Sequence, residues 1–206
     1  MSYQVKTIQD KSQIEQCEKF VINKYYWNSI QEPTAYGFLG YLEGQGFFMR
    51  MYCEETNPRA VYTQPGDPVS QDSTMEAFIG FTEEGEVLNN NIMYVNFEIN
   101  SNSAMLAGYG RNRYERDAIS EELYALAAPT AVIEKEHWYS EVLIPECLLQ
   151  QICDFESIKN GKTFYCNFFK VGEDKSIRHF GSFSPLSSNH PDFHVQIDFA
   201  EAVIVK

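Results

Sequence analysis

The sequence predicts an all-β fold: an antiparallel two-sheet β-sandwich of the jelly-roll or immunoglobulin-like kind, with one or two short helices. Three observations carry that expectation. Apolar and polar residues alternate with a period of two in roughly nine to eleven short runs, the mark of strands with one buried face. Turn-forming residues separate those runs, as at Gly44 and Gly46 or at Ser101, Asn102 and Ser103. Aromatic residues make up 15% of the chain, dominated by Phe and Tyr, which suit strands and stacking surfaces. At 206 residues, with no internal repeat and no linker, the chain is expected to form a single domain over 1–206 around one core.

Residues 3–8 alternate weakly and read as an edge strand. Asp10 or Ser12 then caps a short helix reaching residues 17–20. The β-branched and aromatic run 21–27 suits a strand, and Pro33 marks the turn after it. Residues 36–41 and 47–53 form a hairpin, with Met49, Met51 and Cys53 on the face opposite Arg50 and Tyr52. Residues 54–71 hold Pro58, Pro65, Pro68 and a Gly-Asp pair, so they form a long loop at one end of the sheets. Loops this long in compact domains are more often functional than ornamental.

In 72–81, DSTMEAFIGF, the residues Met75, Ala77 and Ile79 share one face, and Thr74, Glu76 and Phe78 share the other. Residues 94–109 form a second hairpin with Val95, Phe97 and Ile99 inward and Asn96 and Glu98 outward, and a cluster of charge follows it through Arg113. Its return arm is built of small residues that let another backbone or a ligand approach. An acidic excursion with a helical turn runs to Ala128 and stops at Pro129. Strand 138–144 leads into Pro145, which suits the first turn of a short helix running to about residue 155. Strands 163–170, 178–184 and 199–205 complete the fold around a loop at 187–192. Trp27, Phe97, Ile99, Val142, Ile144 and Phe168 are expected between the sheets.

A formal net charge of -13 repels phosphate backbones and anionic headgroups, and no basic run interrupts it, so neither nucleic acid nor membrane is expected as a partner. No apolar run approaches the roughly 20 residues that cross a bilayer. The N-terminal stretch lacks the apolar core of a secretory signal, so the chain reads as cytoplasmic, although a chain trimmed of its signal reads the same. Five cysteines, odd in number and without Cys-x-x-Cys spacing, are read as reduced; Cys147 and Cys153 fall on different faces of a short helix and are not expected to pair.

Polar groups recur on the outward strand faces: Glu76, Asn96, Glu98 and Asn167. The tail RHFGSFSPLSSNHPDFH adds Arg178, His179, Phe183, His190, Phe193 and His194. Its histidine spacings match neither His-x-x-x-His on a helix nor a Cys and His finger, so no metal or other cofactor is expected. Glu76 and Glu98 resemble the acid and base of a glycosidase only in type, and among 29 acidic residues two on neighbouring strands arise readily. No activated nucleophile, phosphate loop or dinucleotide fingerprint occurs, so no enzyme is expected. Amides, carboxylates, a guanidinium and aromatics together suit a sugar, whose apolar face stacks on a ring while its hydroxyls take paired hydrogen bonds. On the hairpin alone the polar row is equally the solvated face of an antiparallel sheet. Phe183 reads equally as core or as a stacking platform; Phe193, after Pro191 and Asp192, reads as a platform. The expected ligand-binding set is Glu76, Asn96, Glu98, Asn167, Arg178, His179, Phe193 and His194, with a mono- or oligosaccharide as the partner.

Several segments, in order, resemble carbohydrate-binding module family 9. DSTMEAFI is similar to its Asp-Ser-x-x-Glu-x-Phe strand, and YVNFEINSNSAMLAGYG to the hairpin that follows. WYSEVLIP, GKTFYCNFFKVGED, HFGSFSP and PDFHVQIDFA resemble its later strands, so the likeness spans about 27–205. It implies a β-sandwich of the kind shared with DOMON-type haem or sugar domains, and non-catalytic sugar binding between two aromatics. By position Glu76 matches the family glutamate and Phe193 one clamp aromatic, while Asn167 lies on the strand that provides an amide and Arg178 near a family arginine. Val69 and Ser70 stand where the second clamp aromatic is expected, Phe183 replaces a Trp, and Ala200 replaces a Gly. Haem binding is the second reading, needing an axial pair such as Met and His, but Met49, Met51, Met75 and Met105 alternate towards the core. A sugar-active enzyme is the third.

Overall fold

The structure, a computed structural model, describes residues 2–206. Its strands in chain order are β1 (Tyr3–Ile8), β2 (Lys19–Ile22), β3 (Lys24–Tyr25), β4 (Ala35–Leu42), β5 (Gly46–Cys53), β6 (Thr74–Phe81) and β7 (Met93–Asn100). They continue as β8 (Met105–Gly110), β9 (Arg116–Ala118), β10 (Thr130–Ile133), β11 (Trp138–Pro145), β12 (Phe164–Gly172), β13 (His179–Ser182) and β14 (Ala200–Val205). Three short helices, α1 (Glu121–Ala127), α2 (Glu146–Ile152) and α3 (Phe155–Lys159), sit in the connections.

The strands form one connected sheet in the order β10-β11-β5-β4-β1-β14-β12-β6-β7-β8-β9, with β2 on β4 and β13 bridging β12 to β3. It curls so that its halves share one interior, where Leu39, Met49 and Val142 from one half and Ala77, Phe97 and Phe168 from the other belong to a single packed cluster. Phe20 and Phe168 stack at its centre, ring centroids 3.7 Å apart.

The expectation of an all-antiparallel pair of sheets is corrected. β1 runs parallel to both β14 and β4, pairing Tyr3 with Ala202 and Lys6 with Gly40, and so stitches the halves into a curled mixed sheet. Alternation reports which side of a strand is buried and is blind to the direction of its neighbour. Strands β9 and β10 escaped the pattern because they are short and largely exposed. Asp10 does cap a helix, through a capping box closed by Gln13, but this is a two-turn 3-10 helix over Lys11–Gln16, and residues 19–20 already belong to β2. The helix expected after Pro145 ends at Ile152 as α2, and a separate helix, α3, follows it with Asp154 as its cap.

Trp27 is a further correction. The run 21–27 leaves its strand after Tyr25, and Trp27 and Asn28 take left-handed backbone angles (φ 54 and 57°) that throw the indole to the outer side of the sheet. The other five expected core residues are buried. All five cysteines are free thiols, including Cys147 and Cys153. The loop 54–71 has no strand and is tied down by Asp72, whose Oδ2 accepts from the amides of Val61 (2.8 Å) and Tyr62 (2.9 Å) and from Asn100 Nδ2 (2.9 Å).

Candidate functional site

The outer face of β12-β6-β7 carries Phe169 and Val171, Phe78, and Tyr94, an apolar patch that water alone does not cover. The closing segment between β13 and β14 covers it with Phe193 and Phe199. Phe193 stacks on Phe169 with centroids 4.1 Å apart and planes 11° from parallel. For this reason β6 is buried on both sides, and its outward row is not a solvated face. The cover stops short of Glu76, Asn96 and Glu98, which are left at the bottom of a cleft of about 280 Å³. That volume lies just below the roughly 300–1,000 Å³ of ligand pockets and matches one sugar ring better than a long chain.

Two glutamates form the floor. Glu76 and Glu98 are directly opposed in the β6–β7 register and are 3% and 8% exposed, so both carboxyls sit out of bulk water side by side. Burial pushes both carboxyls up, Glu98 to about 7 and Glu76 well above the usual carboxylate range, where the neighbouring Glu98 adds repulsion. Against burial, Asn96 Nδ2 donates to Glu98 Oε1 at 2.7 Å. The Arg116 guanidinium donates to Asn96 Oδ1 and lies 4.1 Å from the centre of the Tyr94 ring. Among the described residues Glu76 has no hydrogen-bond partner, and its carboxyl lines the cleft.

A carboxyl with a raised folded-state pKa contributes stability at low pH that is lost as pH rises through the folded value. Glu98→Gln is therefore expected to raise the melting temperature more at pH 8 than at pH 5. Equal shifts at the two pH values count against a desolvated Glu98.

One wall is aromatic. Trp27 is held by a hydrogen bond from its indole N–H to the Ser188 carbonyl (3.0 Å), and tilts against Phe193 and Phe180 with centroids 5.7 and 5.5 Å away. The opposite rim is polar. Arg113 pairs with Asp192 at 3.1 Å, and His194 Nδ1 lies 2.6 Å from the Tyr94 hydroxyl. Burial, aided by Arg116 and Arg113, drives the His194 imidazole down to about 3, so it stays neutral. Beyond Asn96, Leu106 and Arg116 the cleft meets a second hollow of about 620 Å³ between β8, β9 and α1, lined mainly by apolar side chains such as Met105, Ile119 and Tyr124.

Of the residues proposed from the sequence, Glu76, Asn96, Glu98, Phe193 and His194 line this cleft. Three do not. Asn167 fastens the chain: its Oδ1 accepts from the amide of Ser184 at 2.9 Å and its Nδ2 donates to the Asp198 carbonyl at 3.3 Å. Arg178 lies over the Phe180 ring, 5.6 Å from its centre. His179 is fully buried in an interior polar cluster, where Nδ1 meets the Ile177 carbonyl and Nε2 lies 2.7 Å from Lys170 Nζ. Because a carbonyl only accepts, Nδ1 carries the proton and Nε2 accepts from the lysine. Burial and Lys170 push this imidazole down to about 3. Asn167 does face outward from β12 but the closing segment lies over it, and His179 on the short β13 meets Lys170 in the interior instead of open solvent.

Phe183 packs on Tyr3, Phe20 and Phe168 and is core. Met49, Met51 and Met75 are wholly buried in the interior. Trp27, Arg113, Arg116 and Asp192 line the cleft and were not proposed. The charged cluster after the second hairpin, rich in arginine within an acidic chain, was the available signal for two of them.

The sequence profile of carbohydrate-binding family 9 matches residues 4–203. A comparison with curated proteins finds no significant match. Among solved structures, a protein from Bacteroides uniformis described as a candidate carbohydrate-binding protein superposes with a TM-score of 0.79 at 21% identity, covering 98% of each chain. A family 9 module from Caldicellulosiruptor kristjanssonii in complex with glucose gives a TM-score of 0.64 at 12% identity, covering 98% of this chain and 95% of the other. The module from the same organism in complex with cellotriose gives 0.60 at 12%, covering 98% and 92%. At these identities the structural likenesses establish the fold.

Proposed function

The chain belongs to carbohydrate-binding family 9, and from that premise we propose that it is a single non-catalytic sugar-binding domain whose ligand occupies the cleft between Trp27 and the Glu76–Glu98 floor. One observation carries the placement: Glu76 is buried, faces the cleft and has no hydrogen-bond partner among the described residues. A buried carboxyl without a partner is costly unless a ligand supplies hydrogen bonds. Sugar hydroxyls supply them, and the half-buried face of Trp27 offers the stacking surface that the Val69 and Ser70 positions lack. Arg116 and Asn96, bonded to each other, border the same floor.

The glutamates argue against hydrolysis. A glycosidase sets its two carboxyls on either side of the scissile bond, whereas Glu76 and Glu98 stand next to each other on one wall. The structures of similar fold solved with glucose and cellotriose make gluco-configured sugars the first ligands to test.

Calorimetry of the whole chain against a glycan panel is expected to give saturable binding without turnover. Glu76→Ala should weaken that binding by about 1.5–3 kcal/mol, more than tenfold. The proposal fails if no glycan binds the wild-type chain, or if Glu76→Ala retains full affinity for the glycan that does.

A further inference from the structure

The resemblance to the family carries over one glutamate, Glu76, yet the floor holds two. Residues directly opposed on antiparallel strands have Cβ atoms roughly 4.5–5.5 Å apart, so both carboxyls reach the same point in the cleft. Around the cleft four carboxylates, Glu76, Glu98, Glu173 and Asp192, face two guanidiniums. Both guanidiniums already have partners, Arg113 in Asp192 and Arg116 in Asn96 and the Tyr94 ring, and although each draws the Glu98 carboxyl down, burial outweighs them. Among the described residues the one hydrogen bond to the glutamate pair comes from the neutral Asn96 amide. The pair is therefore desolvated, negatively biased and open to the ligand. A neutral sugar satisfies its hydrogen bonds without drawing off the protons that burial keeps on the pair, whereas a cation seated between the carboxyls stabilises their ionised form.

We propose that the Glu76–Glu98 pair selects an amino sugar, its free ammonium group seated between the two carboxyls, over the neutral parent sugar and over the N-acetylated form. This rests on the sugar-binding reading of the same cleft. An ammonium carries three donors and a full charge, so it bridges both carboxylates with charge-assisted bonds, whereas a hydroxyl makes neutral ones and an acetamido group has lost the charge. Binding is also linked to protons. Without ligand the pair keeps protons near neutral pH, and an ammonium favours the ionised pair and expels them. The groups facing the pair are Tyr94 from β7, Glu173 after β12, Arg113 and Arg116 around β9, and Asp192 and His194 from the closing segment. Of these, Tyr94 is pushed up to about 12 and His194 down to about 3, so neither titrates between pH 6 and 8. Below the range in which the amine itself titrates, affinity for the amino sugar is thus expected to fall as pH falls from 7 to 6.

The test is calorimetry of the whole chain with glucosamine, galactosamine and mannosamine, each beside its parent hexose and its N-acetyl form. At pH 7 at least one amino sugar should bind about tenfold tighter than both counterparts. At pH 6, where the amine is fully charged, titrations in buffers of different ionisation heat should show proton release. Glu98→Gln should erase the preference; if that variant does not fold, proton release by the wild-type chain decides the question. Neutral hexoses binding as tightly as their amino forms, or no proton release, overturns the inference and leaves the sugar-binding reading intact. Amino sugars alone binding supports both. No binding by any of the nine compounds, alongside a glycan panel without hits, removes both.

Discussion

Phe193→Ala is expected to abolish detectable sugar binding and to loosen the closing segment. The ring is 8% exposed and touches Phe169, Phe180 and Trp27, with centroids 4.1, 6.2 and 5.7 Å away. Replacing a buried Phe by Ala costs about 3–5 kcal/mol in lost burial and cavity formation. That cost falls on a segment held to the sheet mainly by this aromatic cluster, so its local opening is the expected result, read as faster amide exchange over residues 187–198. Trp27→Ala is the contrasting case. Trp27 is half-buried, and its removal should leave the segment closed while sacrificing stacking worth about 0.5–1.5 kcal/mol, up to about tenfold in affinity. If Phe193→Ala keeps both its exchange protection and its affinity, the closing segment does not build the cleft wall.

Lys170→Ala is expected to destabilise the whole fold by about 3–5 kcal/mol, the cost of leaving a buried charge unpaired. Lys170 has no exposed surface; its ammonium donates to Ser73 Oγ at 2.8 Å and His179 Nε2 at 2.7 Å and lies 3.6 Å from Glu55 Oε2. Burial raises the Glu55 carboxyl, but Lys170 and hydrogen bonds from Ser73 and Trp138 outweigh it and hold this group below its usual range. Removing the lysine reverses that balance. For a chain of this size the melting temperature should drop by about 6–20 °C. Lys170→Met combined with Glu55→Leu should recover part of the loss, since no charge is then orphaned. A Lys170→Ala protein that melts within about 2 °C of wild type would refute a central role for this cluster.

The cluster also explains why His179 was misassigned as a ligand residue, as the closing segment does for Asn167. Period-two alternation assigns a residue to one side of its strand, and it did so correctly for Met75, Ala77 and Ile79 against Glu76, and for Phe97 and Ile99 against Asn96 and Glu98. It does not say what lies over that side. At Glu76 the cover is incomplete and a cleft results; at Asn167 it is the closing segment, and at His179 it is the interior. Lys170, alternating with Phe168 towards the core, is the same rule producing a buried charge that only its partners make tolerable.

By itself the sequence determined the strands longer than about five residues and their faces, the free cysteines, the family, and the pairing of two glutamates on neighbouring strands. Each of these follows from spacing along the chain or from local side-chain type. Tertiary structure alone decided that β1 joins the two halves as a parallel strand, that Trp27 turns outward and supplies an aromatic wall, and that Arg116 on β9 and the loop residues Arg113 and Asp192 reach the same cleft. These depend on long-range contacts, such as Trp27 with Ser188 and Arg113 with Asp192. No local periodicity encodes them, because the energy that selects them comes from burying surfaces that the chain brings together only once it has folded.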